Sequence, residues 1–178
     1  MAICNITDGY DYTDSCRGTA GVKRFLIANK ADVTTFTEGV VGTSSVPSGE
    51  ITGITMSAGT YFYEFKTYPA LSSLNDSSSE GNGNIAYTHT ATIVLVNATV
   101  AIRNLVNYLT KGSFYIIVEK VDGTYWLGGR TSGMNMIHTG GSGTAGTDLN
   151  GYTLTATSVL ELEPLITVSS TIIDALLA

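Results

Sequence analysis

The clearest pattern along the chain runs from Ile85 to Val96. There Ile85, Tyr87, His89, Ala91, Ile93 and Leu95 alternate with Ala86, Thr88, Thr90, Thr92, Val94 and Val96. A period of two over that length predicts a long strand whose two faces meet different surroundings. The same alternation predicts a last clear strand from Asn150-Gly151, with Tyr152, Leu154 and Ala156 set against Thr153, Thr155 and Thr157. An apolar run predicts a first strand over Val22–Asn29. Ile51–Met56 and Tyr61–Thr67 predict two more, joined as a hairpin across Ala58-Gly59. In the second of these, Tyr61, Tyr63 and Phe65 share a face, and Phe62 points the other way with Glu64 and Lys66. Phe114–Val121 and Thr124–Leu127 predict a hairpin across Asp122-Gly123, with Trp126 as a core anchor and Gly128-Gly129 at its end.

One stretch changes period. Ala101, Leu105, Tyr108 and Leu109, with Ile102 and Val106 beside them, recur at helical spacing and predict a single helix near residues 98–110. Asn97 is the expected N-cap. Lys111 suits the negative end of the helix dipole, and Gly112 suits a left-handed C-terminal position. The rest of the chain reads as punctuation. Residues 1–20 are an irregular arm rich in Asp, Tyr, Thr and Gly, and residues 38–50 a Gly/Ser/Pro turn region. Residues 68–84 form a long polar loop with nothing to build a core from, and residues 130–149 carry Met134, Met136 and Ile137 into a Gly/Thr-rich stretch. Beyond Pro164 the tail is apolar, with Ile172, Ile173, Leu176 and Leu177, and is expected to be covered by a neighbouring subunit. The division is therefore an arm over 1–20, a β domain over 21–164 and a C-terminal extension over 165–178.

Composition turns this pattern towards assembly. Of 178 residues 43% are hydrophobic and only 13% charged, about half the charged share usual for a soluble domain. A surface made polar by Thr, Ser, Asn and Gly suits a protein much of which is covered by neighbours. The net charge of −6 and the lack of a basic run exclude a protein that grips nucleic acid by neutralising phosphates, but not a wall past which DNA slides. No apolar run approaches a membrane span, and the N-terminus lacks the basic and apolar regions of a secretory signal, so assembly in a cytoplasm is expected. A disulfide between Cys4 and Cys16 is geometrically possible, whereas a reducing cytoplasm favours free thiols.

Candidate chemistry is sparse. His89 and His138 are the only imidazoles. His89 reads as a satisfied structural residue within a strand, and His138 lies in a flexible stretch unsuited to a preorganised site. Gly141-Ser142-Gly143 has no strand before it to make a nucleophile elbow, and Gly140–Gly146 lacks the Lys-Ser/Thr ending and following helix of a phosphate loop. Asp8, Asp11 and Asp14 lack the glycine and terminal Glu of a calcium loop. Glu161 and Glu163 share a strand face and read as a solvated edge. No catalytic residue, metal site or cofactor is expected.

The order of elements resembles a known family. Phe25-Leu26-Ile27-Ala28-Asn29, Ile51-Thr52-Gly53-Ile54-Thr55, Tyr61-Phe62-Tyr63-Glu64-Phe65, the strand–helix unit, Val121-Asp122-Gly123-Thr124-Tyr125-Trp126-Leu127-Gly128 and Asp148-Leu149-Asn150-Gly151-Tyr152-Thr153-Leu154-Thr155 follow one another as in the tail-tube-like virion proteins of phages that infect Bacteroidetes, including crAss-like phages. The resemblance spans most of residues 16–157 and rests on strand and turn patterns rather than on a unique signature. It implies a mainly β fold, an antiparallel β-sandwich or barrel of the tail-tube type with one flanking α-helix and long loops. It implies homo-oligomeric rings in a virion tail or neck, adjacent ring proteins as partners, and DNA passing through the lumen without sequence-specific binding. The tail after Pro164 departs from the simplest tube pattern and points towards a specialised ring or terminator. The rival from another class is a glycan-binding or adhesive β-sandwich that uses some of the ten tyrosines as platforms.

Overall fold

The computed structural model describes residues 21–40, 47–67, 71–142 and 149–177. The expected arm with its two cysteines and three aspartates, the centre of the 38–50 turn region and most of Gly140–Gly146 lie outside the described residues. The elements are β1 (Val22–Asn29), a 3-10 turn (Lys30–Asp32), β2 (Val33–Val40), β3 (Pro47–Met56), β4 (Tyr63–Lys66), β5 (Ser73–Gly81), β6 (Asn84–Val96), α1 (Val100–Leu109), β7 (Ser113–Lys120), β8 (Tyr125–Gly128), β9 (Met134–Gly141), β10 (Gly151–Glu161), β11 (Ile166–Val168), a second 3-10 turn (Ser170–Ile172) and the one-turn α2 (Ile173–Leu176). The protein is mainly β, as expected, with α1 as the one helix of substantial length.

β1 and β7 organise the rest. They pair antiparallel from Val22↔Lys120 to Asn29↔Phe114. Both read as continuous apolar runs, Phe25-Leu26-Ile27-Ala28 and Phe114-Tyr115-Ile116-Ile117-Val118, because both of their faces are buried. Phe25, Ile27, Phe114, Ile116 and Val118 face one core with α1, β6, β9 and β10. Leu26, Ala28, Tyr115 and Ile117 face a second core with Ile51, Phe62, Leu127 and the C-terminal segment. The sheet forks at β7: one branch continues through β9, β10 and β6 to β5, the other through β8, β11 and β3 to β2, while β4 joins the far side of β1. Every pair is antiparallel except β3 with β11, which run parallel and make the sheet mixed.

Several expectations are corrected. Ala58-Gly59 makes a tight turn, with Gly59 at φ +79° and Thr60 N–H donating to Ser57 O at 3.2 Å, but no hairpin. β3 pairs with β2 and β11, whereas β4 crosses to β1, because the fully buried Phe62 belongs in the second core. Residues 73–81 are a strand, not loop, and so are residues 134–141. Neither β5 nor the outer end of β9 contributes much apolar surface; backbone pairing along β6 and β10 holds them. Thr99, not Asn97, caps α1, its hydroxyl accepting from Ile102 N–H at 3.3 Å. Asn97 instead sits at φ +70° and turns the chain out of β6. Val106 and Leu109 are buried and Ile102 and Leu105 pack beside them, while Ala101 and Tyr108 face solvent. Gly112 lacks a left-handed φ; its smallness matters because a Cβ there would lie 2.4 Å from the Phe114 ring. Trp126 is half-buried rather than a core anchor, and the Lys120 ammonium sits 4.6 Å above its ring. The C-terminal tail is no separate extension: Ile166, Val168, Ile173 and Leu176 are buried in the second core of their own chain.

Candidate assembly surface

The branch β9–β10–β6–β5 has one face in the first core and one face outward. Register fixes which side chains point out. Thr155 stands between Ile137 on β9 and Thr92 on β6, and Ser73 of β5 lies beyond Thr92. The next rows are Asn135, Thr157, Thr90 and Asn75 on one side, and Thr139, Thr153 and Val94 on the other. Thr88 pairs with Ser77, and Ala86 with Ser79. No ionisable side chain occurs at these outward positions. The β-branched threonines suit a pleated surface, and their hydroxyls keep it polar without charge.

β5 and the start of β6 carry this face away from the body of the protein. Asn82 at φ +53° and Gly83 at φ +79° close the hairpin, the two left-handed residues that a tight two-residue turn requires. Every β5 residue from Asn75 onward is exposed. A bare two-stranded ribbon is marginally stable in water, and this one is tied to the rest of the sheet only through β6. Among the described residues no further strand pairs with the outer edges of β2, β4 or β5, so each leaves unpaired backbone donors and acceptors.

The sheet is anchored by two buried polar residues. His89, on the inner face of β6, is 1% exposed. Its Nδ1 accepts from Gly129 N–H at 3.2 Å, which leaves Nε2 to donate to Glu163 O at 3.1 Å. The imidazole thus ties β6 to the ends of β8 and β10, the structural role expected for it. His138 is exposed and packs edge-on against Tyr152, 6.1 Å between ring centroids. The two imidazoles are not brought together.

Glu161 is the residue that sequence reasoning misplaced. It is 1% exposed, not a solvated edge. A bulge after Ser158, with Leu160 at φ +65°, turns its carboxylate inward. There it accepts from Thr131 N–H at 2.7 Å, Ser132 N–H at 3.0 Å, the Ser132 hydroxyl at 2.8 Å and the Ser158 hydroxyl. Burial by itself would raise this carboxyl, but the hydroxyl and backbone donors outweigh it and hold it at about 2. Its neighbour Glu163 pairs instead with Arg130, which also holds Glu38 of β2 at 2.9 Å. At the other end of β7 the buried Glu119 receives Lys23 and Arg24, and Arg24 reaches Glu64 of β4 at 2.6 Å. These groups bolt strands to one another, and Lys23, Arg24 and Glu64, with Lys66, also line a small cleft of about 380 Å3.

Among the described residues no cluster of His, Cys, Asp and Glu suits a metal ion, and no helix is long and apolar enough to cross a membrane. Comparison with known protein families, with curated proteins and with solved structures finds no match.

Proposed function

We propose that the chain is a phage virion structural protein that forms homo-oligomeric rings of a tail tube, or of a tail barrel or neck, around the channel through which DNA is ejected. The observation that carries this reading is the charge-free Thr/Ser/Asn face of β9–β10–β6–β5, which runs out into an exposed hairpin with an open strand edge. A free monomer keeps such edges short or charged to block edge-to-edge pairing, whereas a ring protein uses them. DNA threading a channel is best met by a wall that offers no cations to its phosphates, and both the outward face and the net charge of −6 fit that requirement. Joined edges would close the ring, and the hairpin would reach the adjacent ring. The proposed place is a virion tail or neck assembled in the host cytoplasm, with neighbouring ring proteins as partners and no enzymatic activity.

Electron microscopy of the purified chain across a concentration series tests the reading. Rings or stacked tubes with a central channel are the expected result; a protein that stays monomeric at the highest attainable concentration refutes it. A glycan-binding module remains the second reading because Trp126 is half-buried at a cleft of about 450 Å3 that Ser72, Asn75 and Asp76 also line. Binding to immobilised glycans that Trp126→Ala removes, in a chain that remains monomeric, would favour it.

A further inference from the structure

Two apolar features lie open on the surface, one concave and one convex. The concave one is a groove of about 780 Å3 between α1 and β4, with Ile27, Phe65, Leu105, Tyr108, Leu109 and Phe114 among its walls. One wall is β4, whose outer edge pairs with no strand among the described residues. The convex one is the bulge at the end of β10. Because Glu161 points inward, the alternation of an extended chain turns its neighbours outward, and Leu160 and Leu162 are 70% and 79% exposed. Val159 beside them is also exposed. Leu160 is held at φ +65°, a conformation that a branched side chain avoids unless its surroundings impose it. The Glu161 anchor imposes it, so the fold spends strain on presenting three apolar side chains to solvent.

The two features also differ in charge. At the groove Lys66 and Lys111 stand against Glu64, a surplus of cations. Behind the bulge Glu38, Glu161 and Glu163 stand against Arg130 and against Lys30, whose ammonium donates to Ser132 O at 2.7 Å, a surplus of anions. Among the described residues nothing covers the bulge or fills the groove. We propose that the bulge Val159–Leu160–Leu162 of one copy seats in the α1–β4 groove of a second copy, with opposite charge surplus setting the orientation. This rests on the assembly reading and names the contact between neighbours. Because bulge and groove are different patches, repeating the contact head-to-tail generates a ring or an open stack.

The test uses the full chain with Cys4 and Cys16 replaced by Ser. One preparation carries Leu162→Cys and another Tyr108→Cys, and a short bifunctional thiol cross-linker is added to each and to their mixture. Covalent dimers that form efficiently in the mixture alone, linked from 162 to 108 by mass spectrometry, are the expected result. In parallel, Leu160→Gly deletes the side chain while suiting a left-handed φ, so the variant should melt no lower than the parent yet associate about tenfold more weakly or worse in sedimentation. Lys111→Glu should weaken association to a smaller, salt-dependent degree. Rings that form normally without the 162–108 link, or a Leu160→Gly chain that associates like the parent, overturn the proposal while leaving the ring reading intact. A cross-link from position 108 to residues 1–20 of its own chain overturns it in favour of an internal occupant. A parent that never associates sinks both.

Discussion

Replacing Glu161 by Gln tests the anchor of the β10 bulge directly. The carboxylate is held at about 2 against a usual 4.5, which favours the folded state by about 3 kcal/mol at neutral pH. Gln keeps the shape but offers one accepting oxygen, and it turns an amide N–H2 towards a site filled by donors from Thr131, Ser132 and Ser158. A loss of about 2–4 kcal/mol follows. The pH dependence supplies the sharper check. Because the folded-state value is depressed, the contribution is complete above about pH 4.5 and is lost as the pH falls towards 2, so that less than half of it remains at pH 3. Urea unfolding of parent and Glu161→Gln, both at pH 7 and at pH 3, measures this. The gap between them should narrow on acidification, since only the parent carries the titrating group. A gap below about 1 kcal/mol at pH 7, or one that does not shrink at pH 3, would refute the reasoning.

Two further outcomes follow from packing. Deleting residues 165–178 should unfold the domain rather than merely weaken assembly. It removes Ile166, Val168, Ile173 and Leu176 from the second core, at about 1.5–3 kcal/mol each, which together rival the whole stability of a typical domain; a truncated chain with native circular dichroism and a cooperative melt would contradict this. His89→Leu should cost about 1–3 kcal/mol in chemical denaturation, because it strands Gly129 N–H in a buried position and Glu163 C=O in a partly buried one. An unchanged denaturation midpoint would show that those groups find other partners.

What could be read in advance follows from where the stabilising interactions lie. Side-chain pattern marks an element when side chains hold it, so the bounds expected for the first strand hold to the residue, and the long strand over 85–96, α1 and the Asp122-Gly123 hairpin emerge within a residue or two. β2 and β5 are held by backbone ladders at the rim, and Val-Thr-Thr-Phe-Thr-Glu and Ser-Leu-Asn-Asp-Ser-Ser-Ser carry no period that tells strand from loop. Asn82-Gly83 is the local mark that identifies β5, since it is a hairpin turn flanked by Glu80 and Ile85 in register. The apolar tail was visible, but its partner was not: nothing local distinguishes an own-chain core from a neighbour's surface. Besides nearby Ser158, the Glu161 anchor draws its donors from Thr131 and Ser132, about thirty positions away, and Leu160 gives no sign in sequence that its backbone will turn left-handed.

The wall that β1 and β7 share has a consequence for how the chain comes to be folded. Its two strands lie more than eighty residues apart in sequence, from Asn29 to Ser113, so neither core can close until the ribosome has released most of the polypeptide. The second core waits longer still, for Ile173 and Leu176. Until β7 is made, Phe25, Leu26 and Ile27 have only β4 to pair with, and until the later segments follow, the faces of Phe25–Ala28 lack their full cover. Pairings so distant close slowly and leave the growing chain prone to aggregate. For the ring proposed above, this places the folding of each copy ahead of its association in time.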